Sequence, residues 1–516
     1  MLSRDEIDKR LRELEEKVIR GDLRAIAKQH GEGKLTARER VEKLLDPGSF
    51  VEEFMLAETQ VTDFGMAEKR QPTDGVVTGH GTIDGRPVYV YAQDRTVLAG
   101  AVGSTHAQKI SYIIDTARKV GVPLVGLLDS VGARIQEGLD VTRGNGMIFR
   151  SNTVASGVIP QISAIMGPCI GVASYSPALT DFILMVKGTS QMFITGPAVI
   201  KEVLGEEVTM EELGGWKVHA EQSGCSDLTA ENDEACLLEI RRLLSYLPQN
   251  AQEAPPRIQS RDDPNRSLDD LESLVPDDMR KPYNVLEVIR RIVDDGEFVE
   301  LKPRWARNMV IGFGRLDGQT VGCVANQPMF LAGSIDVDAA DKASRFIRFC
   351  DAFNIPIITL VDVPGFYPGK RQEQMGIIRH GAKMLYAYAE ATVPQITVYL
   401  RKGYGGAKQA MCTREMGADQ VFVWPGVELA VMGGGGAVNV LYKREIESAP
   451  DPEAVRKQRM AEYTERFSGP FEALQKQFAH AVIRPAETRR RLIQALRILA
   501  GKREKPAPRK HGIMPV

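Results

Sequence analysis

Paired cysteines, long apolar runs and an excess of charge of either sign are all missing from this chain. Its six cysteines, Cys169, Cys225, Cys236, Cys323, Cys350 and Cys412, include no CxxC spacing. That excludes a zinc ribbon and a dithiol redox pair, and the six read as buried thiols of a reducing compartment. No apolar run approaches the roughly 20 residues that span a bilayer. The opening residues, MLSRDEIDKRLREL, are charged, unlike a signal peptide. A cytoplasmic protein without membrane insertion is therefore expected. The 66 Lys+Arg against 68 Asp+Glu leave a net charge of −2, so nucleic acid is not an expected partner. Familiar catalytic signatures are missing too. There is no GxxxxGK[ST], no GxSxG and no HExxH, and the seven histidines are scattered. No metal site is expected.

What is present is length and duplication. The 516 residues exceed one domain at ~100–200 residues each. Ser3 and Glu6 form a capping box for a first helix. Ile7, Leu11, Leu14 and Val18 then make one apolar stripe, suited to packing on the body or on a neighbouring subunit. The polar stretch Gln249–Asp270 carries three prolines and reads as a linker. It divides the chain into residues 1–255 and 256–516. The halves repeat one another. Asp84-Gly85 recurs as Asp317-Gly318 and Ala99-Gly100 as Ala332-Gly333, and Lys109, Pro123, Asp129 and Gly132 recur as Lys342, Pro356, Asp362 and Gly365, all at one offset of 233. Gly171 and Ala173 match Gly405 and Ala407 at 234. Two copies of one domain are expected.

Each copy alternates helix and buried strand. Strands are predicted at Val88–Tyr91 and Val321–Ala325, amphipathic helices at His106–Val120 and Asp338–Asn354, and continuous apolar strands at Val122–Asp129 and Ile355–Asp362. Such runs fit a sheet covered on both faces, hence an α/β fold. After these strands come glycine-rich turns: VGAR (Val131–Arg134) and GPCIGVAS (Gly167–Ser174), then PGFYPG (Pro364–Gly369) and KGYGGAK (Lys402–Lys408). Small residues there let a ligand approach backbone N–H groups. A pair of such turns can hold an oxyanion. Their recurrence implies two such sites and two carbonyl-bearing reactants. The run Gly433–Gly436 lacks a dinucleotide-binding pattern and reads as a tight loop.

The chain resembles the carboxyltransferase subunits of biotin-dependent acyl-CoA carboxylases, of the propionyl-CoA carboxylase β type. The resemblance rests on GKLTARERVEKLLDPGSFVE, GARIQEG, ASGVIPQISAIMGPC, YSPALTDF, MFITGP, GEEVTMEELGG, ANQP, RFIRFCDAFNIPI, GIIRHGAK, the Gly405–Ala407 turn and the tail KHG. It implies two crotonase-like spiral domains, an acyl-CoA domain over 1–255 and a carboxybiotin domain over 256–516. It also implies sites shared between subunits, and a homo-oligomer that is usually a hexamer. Biotin would arrive as carboxybiotin on a separate carrier, since no Met-Lys-Met tripeptide occurs here. A biotin carboxylase and a biotin carboxyl carrier subunit are the implied partners. The first oxyanion site would use amides near Gly132 and in Gly171, Val172 and Ala173. The second would use Gly365, Gly405, Gly406 and Ala407. Carboxybiotin would release CO2, and its ureido nitrogen would take the α-proton of the acyl-CoA. Arg134 would meet CoA phosphates or hold its turn by an ion pair, and Gly406, Ala407 and Gln409 would line the biotin side.

Departures from the family pattern mark this chain. Val131 and Val172 stand where glycine is usual, Lys408-Gln409 where Tyr-Asp is usual, Met375 where glycine is usual, and Trp216 where a small residue is usual. Valine is strongly disfavoured if its backbone needs a positive φ. Glu137 and Glu373 read as supports of the turns, with acid–base roles as the alternative. His380 reads as a helix-ordering residue, and Lys510 as part of a solvated tail. The same resemblance admits a decarboxylase α subunit. A degraded, non-catalytic subunit and a biotin-independent hydratase or isomerase are the other readings.

Overall fold

In the computed structural model, which describes residues 3–505 and 508–516, the chain folds as two compact units, Met1–Glu253 and Ala254–Val516. The first is built on an eight-stranded sheet: β1 (Val51–Glu53), β2 (Val76–Ile83), β3 (Arg86–Gln93), β4 (Leu124–Ser130), β5 (Gln161–Ile170), β6 (Phe182–Val186), β7 (Gln191–Phe193) and β8 (Leu228–Ala230). The order is β1-β2-β3-β4-β5-β6-β8, with β7 on β5. The hairpin β2–β3 turns at Asp84-Gly85, both at positive φ, as a two-residue hairpin turn requires. From β3 to β6 the neighbours run parallel, which obliges long crossovers.

Helix Ser104–Val120 is one such crossover. Ile110, Ile113, Ile114 and Ala117 fall on one face and are buried against Leu124 and Leu128 of β4 and Ile165 of β5. Gly121, left-handed, ends the helix. Full burial of each isoleucine contributes roughly 1.5–3 kcal/mol.

The second unit repeats the plan with β9 (Val299–Leu301), β10 (Met309–Leu316), β11 (Gln319–Asn326), β12 (Ile357–Val363), β13 (Gln395–Tyr404), β14 (Gln420–Val423), β15 (Glu428–Ala430) and β16 (Ala481–Val482). Its order, β16-β14-β13-β12-β11-β10-β9 with β15 on β13, matches the first strand for strand. Even the irregularity is copied. The β4–β5 register slips between Leu128 and Ser130, and β12–β13 slips between Val361 and Val363. Each slip sits at the aspartate just before a glycine turn.

Two sequence expectations differ from the structure. Gly433–Gly436 does not form a loop; Gly434 opens a helix running to Leu441. A Cβ on Gly434 would come 2.9 Å from Thr464 Oγ1, so the small residues allow the close approach of helix Pro452–Phe467. The second half of the expected linker is not loose. Ile258 N donates to Gly318 O, Arg266 bonds Asp262 and the carbonyls of Arg291 and Val293, and Leu268 is buried.

Candidate active site

The first turn leaves β4 at Ser130. Val102 N donates to Gly132 O (2.8 Å) and Arg134 N to Val102 O (2.9 Å), a parallel bridge between Val102 and Ala133. In that pattern the amide of Ala133 itself faces the opposite side. Gly132 has φ +95°, and a Cβ there would meet Ile170 O at 2.6 Å. Its own amide is engaged, donating to Ser130 Oγ at 3.1 Å. The structure thus places Gly132 at the bend and Ala133 at the outward donor. Beside it, Gly171 (φ +64°) opens the short helical turn Gly171–Ser174. The amides of Val172 and Ala173 lie in its first turn, where no carbonyl of the same turn can accept them.

The second turn repeats this. Ile335 N donates to Gly365 O (3.2 Å) and Tyr367 N to Ile335 O (2.8 Å), so the outward amide belongs to Phe366. Val363 stands where Ser130 stands, so the hydroxyl that takes the Gly132 amide has no counterpart at that position. Gly405 (φ +58°) opens helix Gly405–Ala410, with Gly406 exposed and Ala407 buried. A Cβ on Gly406 would lie 3.8 Å from the Phe366 ring.

A buried carboxylate sits under each turn. Asp129 receives Arg40 Nη1 (3.2 Å), Gln29 Nε2 (3.0 Å) and Lys34 Nζ (3.4 Å). Asp362 receives Arg401 Nε (2.8 Å) and the Lys402 amide (3.3 Å). Two solutions serve one need. In the first unit Gly167 leaves room for Asp129, since a Cβ there would come 2.1 Å from Oδ1, and the arginine comes from helix Ala37–Leu44. In the second, Arg401 occupies the strand position equivalent to Gly167 and supplies the cation itself. A buried carboxylate needs such pairing.

Comparison with known proteins supplies the name for this duplicated pair of amide turns. The carboxyl transferase domain profile matches residues 28–514. The chain is 53% identical over 517 residues to a propionyl-CoA carboxylase carboxyltransferase subunit of Haloferax mediterranei, covering 100% of both. It is 51% identical to the methylmalonyl-CoA decarboxylase subunit alpha of Propionigenium modestum, covering 98% of this chain and 99% of that one. Its fold matches the transcarboxylase 12S crystal structure, a hexamer with methylmalonyl-coenzyme A and methylmalonic acid bound, with a TM-score of 0.97, 48% identity and coverage of 100% and 99%. The chain belongs to the carboxyl transferase family. It is a carboxyltransferase, moving a carboxyl group between biotin and an acyl-CoA. Its α/β units are the family's duplicated crotonase-like domains.

In this carboxyltransferase, the side chains around the first turn form a buried network of hydrogen bonds. Arg134 is 3 % exposed as a side chain. Its Nη1 bonds Asp74 Oδ1 (2.7 Å) and Glu137 Oε1 (2.9 Å), and its Nη2 bonds Ala101 O (2.7 Å). Of its two readings, the ion pair is the one displayed. Glu137 also accepts from Thr59 Oγ1 and from the Ser104 amide, capping the crossover helix. Burial pushes the Asp74 carboxyl up, against the pull of Arg134. It pushes His106 down to about 3, leaving a neutral ring whose Nδ1 donates to Asp74 O. Glu373 is exposed, and His380 is held by Asp341 at 2.8 Å.

Neither Val131 nor Val172 is at positive φ; the positive-φ positions of the first site, 132 and 171, are glycines. The valines therefore add bulk without backbone strain. Val172 lines a small pocket with Leu128, Ile148 and Phe149. In the second turn Gln409 is exposed. Lys408 is half-buried, its ammonium 5.1 Å from the Phe478 ring centroid, and burial lowers its pKa. Sequence reasoning missed Ala133 and Phe366 as outward donors. Their register, 133 and 366, was the usable signal, but their residue types differ, so a comparison of identities passes over them.

Proposed function

We propose that the first unit handles the acyl-CoA and the second the biotin. The amides of Ala133, Val172 and Ala173 hold the thioester oxygen as it takes on enolate charge. Those of Phe366, Gly406 and Ala407 hold the ureido carbonyl. Bound carboxybiotin supplies CO2 and a ureido nitrogen basic enough to take the α-proton, so no side-chain base is required. The observation that carries this reading is the outward amide beside a glycine-opened helical turn, built once per unit. Oxyanion donors of this kind act on charge that develops in the transition state, each worth roughly 2.7–4 kcal/mol of barrier.

The acyl group is of the propionyl/methylmalonyl type, supported by the named substrates of several relatives. Gln409 and the Gly406–Ala407 peptide line the biotin side. The chain works as a cytoplasmic hexamer with a biotin carboxylase and a biotin carboxyl carrier subunit. A decarboxylase complex is the second reading, supported by 51% and 54% identity to two α subunits of that kind.

The test is the reverse half-reaction. Purified protein, free biotin and methylmalonyl-CoA should yield propionyl-CoA by chromatography, with malonyl-CoA turned over more slowly. Turnover that does not depend on biotin, or none with any short carboxyacyl-CoA, would sink the assignment.

A further inference from the structure

The last residues of the chain lie along the helix Ile377–Glu390, beside its anchor and on the face away from Gly381. On the anchored side, Asp341 of helix Val337–Ala352 takes both His380 Nδ1 (2.8 Å) and Lys383 Nζ (2.7 Å). Next to it the tail makes four contacts, three with this helix and one with Arg348 of helix Val337–Ala352. Arg509 pairs with Glu390, a carboxylate that also takes Arg348 Nη1 at 2.5 Å and the Tyr386 hydroxyl at 3.3 Å. Gly512 presses on Tyr386: a Cβ there would come 1.6 Å from the phenol oxygen and 2.7 Å from Glu390 Oε1. Met514 Sδ lies 3.8 Å from Arg348 Nη1. Val516 O accepts from Arg379 Nη1 at 3.1 Å. The tail thus runs from the C-terminal end of the helix back to its first turn. Gly512 and Met514 are partly covered, while His511 and Ile513 are exposed, the alternation of an extended segment.

That helix touches the second amide turn directly. A Cβ on Gly381 would come 2.8 Å from the Phe366 ring, so the helix backbone rests on the ring. The same ring faces Gly406 at the start of helix Gly405–Ala410. Phe366 is therefore wedged between the strapped helix and the other half of its own turn, and its amide is the outward donor. A shift of the helix moves that amide relative to those of Gly406 and Ala407.

We propose that residues 508–516 form a strap that seats helix Ile377–Glu390 on Phe366 and so sets the spacing of the second pair of amides. Arg379, Glu390 and Gly512 are positioning residues. Their effect on the biotin reactant rests on the assignment of the second turn made above.

Two variants of the full protein test this: Gly512→Val, which pushes the tail off Tyr386, and a truncation ending at Lys510. Hydrogen exchange is followed by mass spectrometry, and the biotin-dependent half-reaction is assayed alongside direct titration of acyl-CoA. The expected result is faster exchange confined to 377–390 and the Pro364–Gly369 turn. With it, kcat/KM for biotin should fall by roughly tenfold or more while the acyl-CoA Kd stays within about twofold. Unchanged exchange in that helix overturns the strap. So does exchange that rises across the whole second unit, or acyl-CoA binding that weakens in step with biotin turnover. If the parent protein shows no biotin-dependent turnover, the functional assignment falls, and the exchange pattern alone still decides whether the strap exists.

Discussion

At the scale of single residues, the site is a matter of backbone conformation more than of side-chain chemistry. Gly132 shows this most sharply. Its φ of +95° and the 2.6 Å approach to Ile170 O leave no room for a methyl group. Gly132→Ala should lower kcat about 100-fold or more, with unchanged circular dichroism, because only the bend that aims the Ala133 amide is disturbed. Val172 is the converse case. Its backbone is ordinary and its side chain fills pocket space, so Val172→Gly should shift kcat/KM towards longer acyl-CoAs in a competition assay. His106 sets a pH dependence. Its folded pKa, about 3, lies below the usual 6.5, so between these values the unfolded chain binds the extra proton. Stability from this group is present above pH 6.5 and is lost as pH falls, by up to about 1.4 kcal/mol per unit. Asp74, with its pKa raised, acts in the opposite sense. A His106→Gln variant compared with the parent by denaturant titration from pH 7 to 4 should lose less stability on acidification.

Elements show where sequence pattern suffices and where it does not. The strands around Val122–Asp129 and Ile355–Asp362 were legible because continuous apolar runs have one stable fate, a sheet covered on both faces. Their observed bounds, Leu124–Ser130 and Ile357–Val363, differ from the reading by one or two residues. The stretch after Pro264 was misread because the bonds of Arg266 to Arg291 and Val293 and the seat of Leu268 in the core are tertiary contacts that its polar composition does not show. The glycine run at 433–436 was misread because glycine marks close helix packing as readily as a loop. Arg509 and Lys510 are exposed, in keeping with the solvated reading, but the docking of the tail was not legible because its anchors, Glu390 and Arg379, lie more than 100 residues away in sequence. The first helix, Arg4–Arg20, keeps its capping box but has no buried residue, and Ile7 and Leu11 are exposed. Deleting residues 1–20 should therefore leave the thermal midpoint within a few degrees of the parent, since substitutions away from buried features act within about 0.5 kcal/mol each.

For the whole molecule, the assembly proposed above predicts a particle in light scattering near six times the chain mass of 56.9 kDa. Two copies of one fold carrying two amide turns follow from the sequence by itself. A fixed offset of 233 through Asp-Gly, Ala-Gly, Asp and Gly positions can only arise from one backbone plan used twice, because each of those residues answers a local demand of turn or strand end. Which amides face outward is a different kind of fact. Ala133 and Phe366 have no residue type in common, and their role depends on a bridge to Val102 or Ile335 some thirty residues earlier in the chain. The fate of Arg134, the seating of Phe366 by Gly381 and the docking of the tail depend likewise on neighbours distant in sequence. Those were decided by the tertiary structure, because a hydrogen bond has a direction only once both partners are fixed in space.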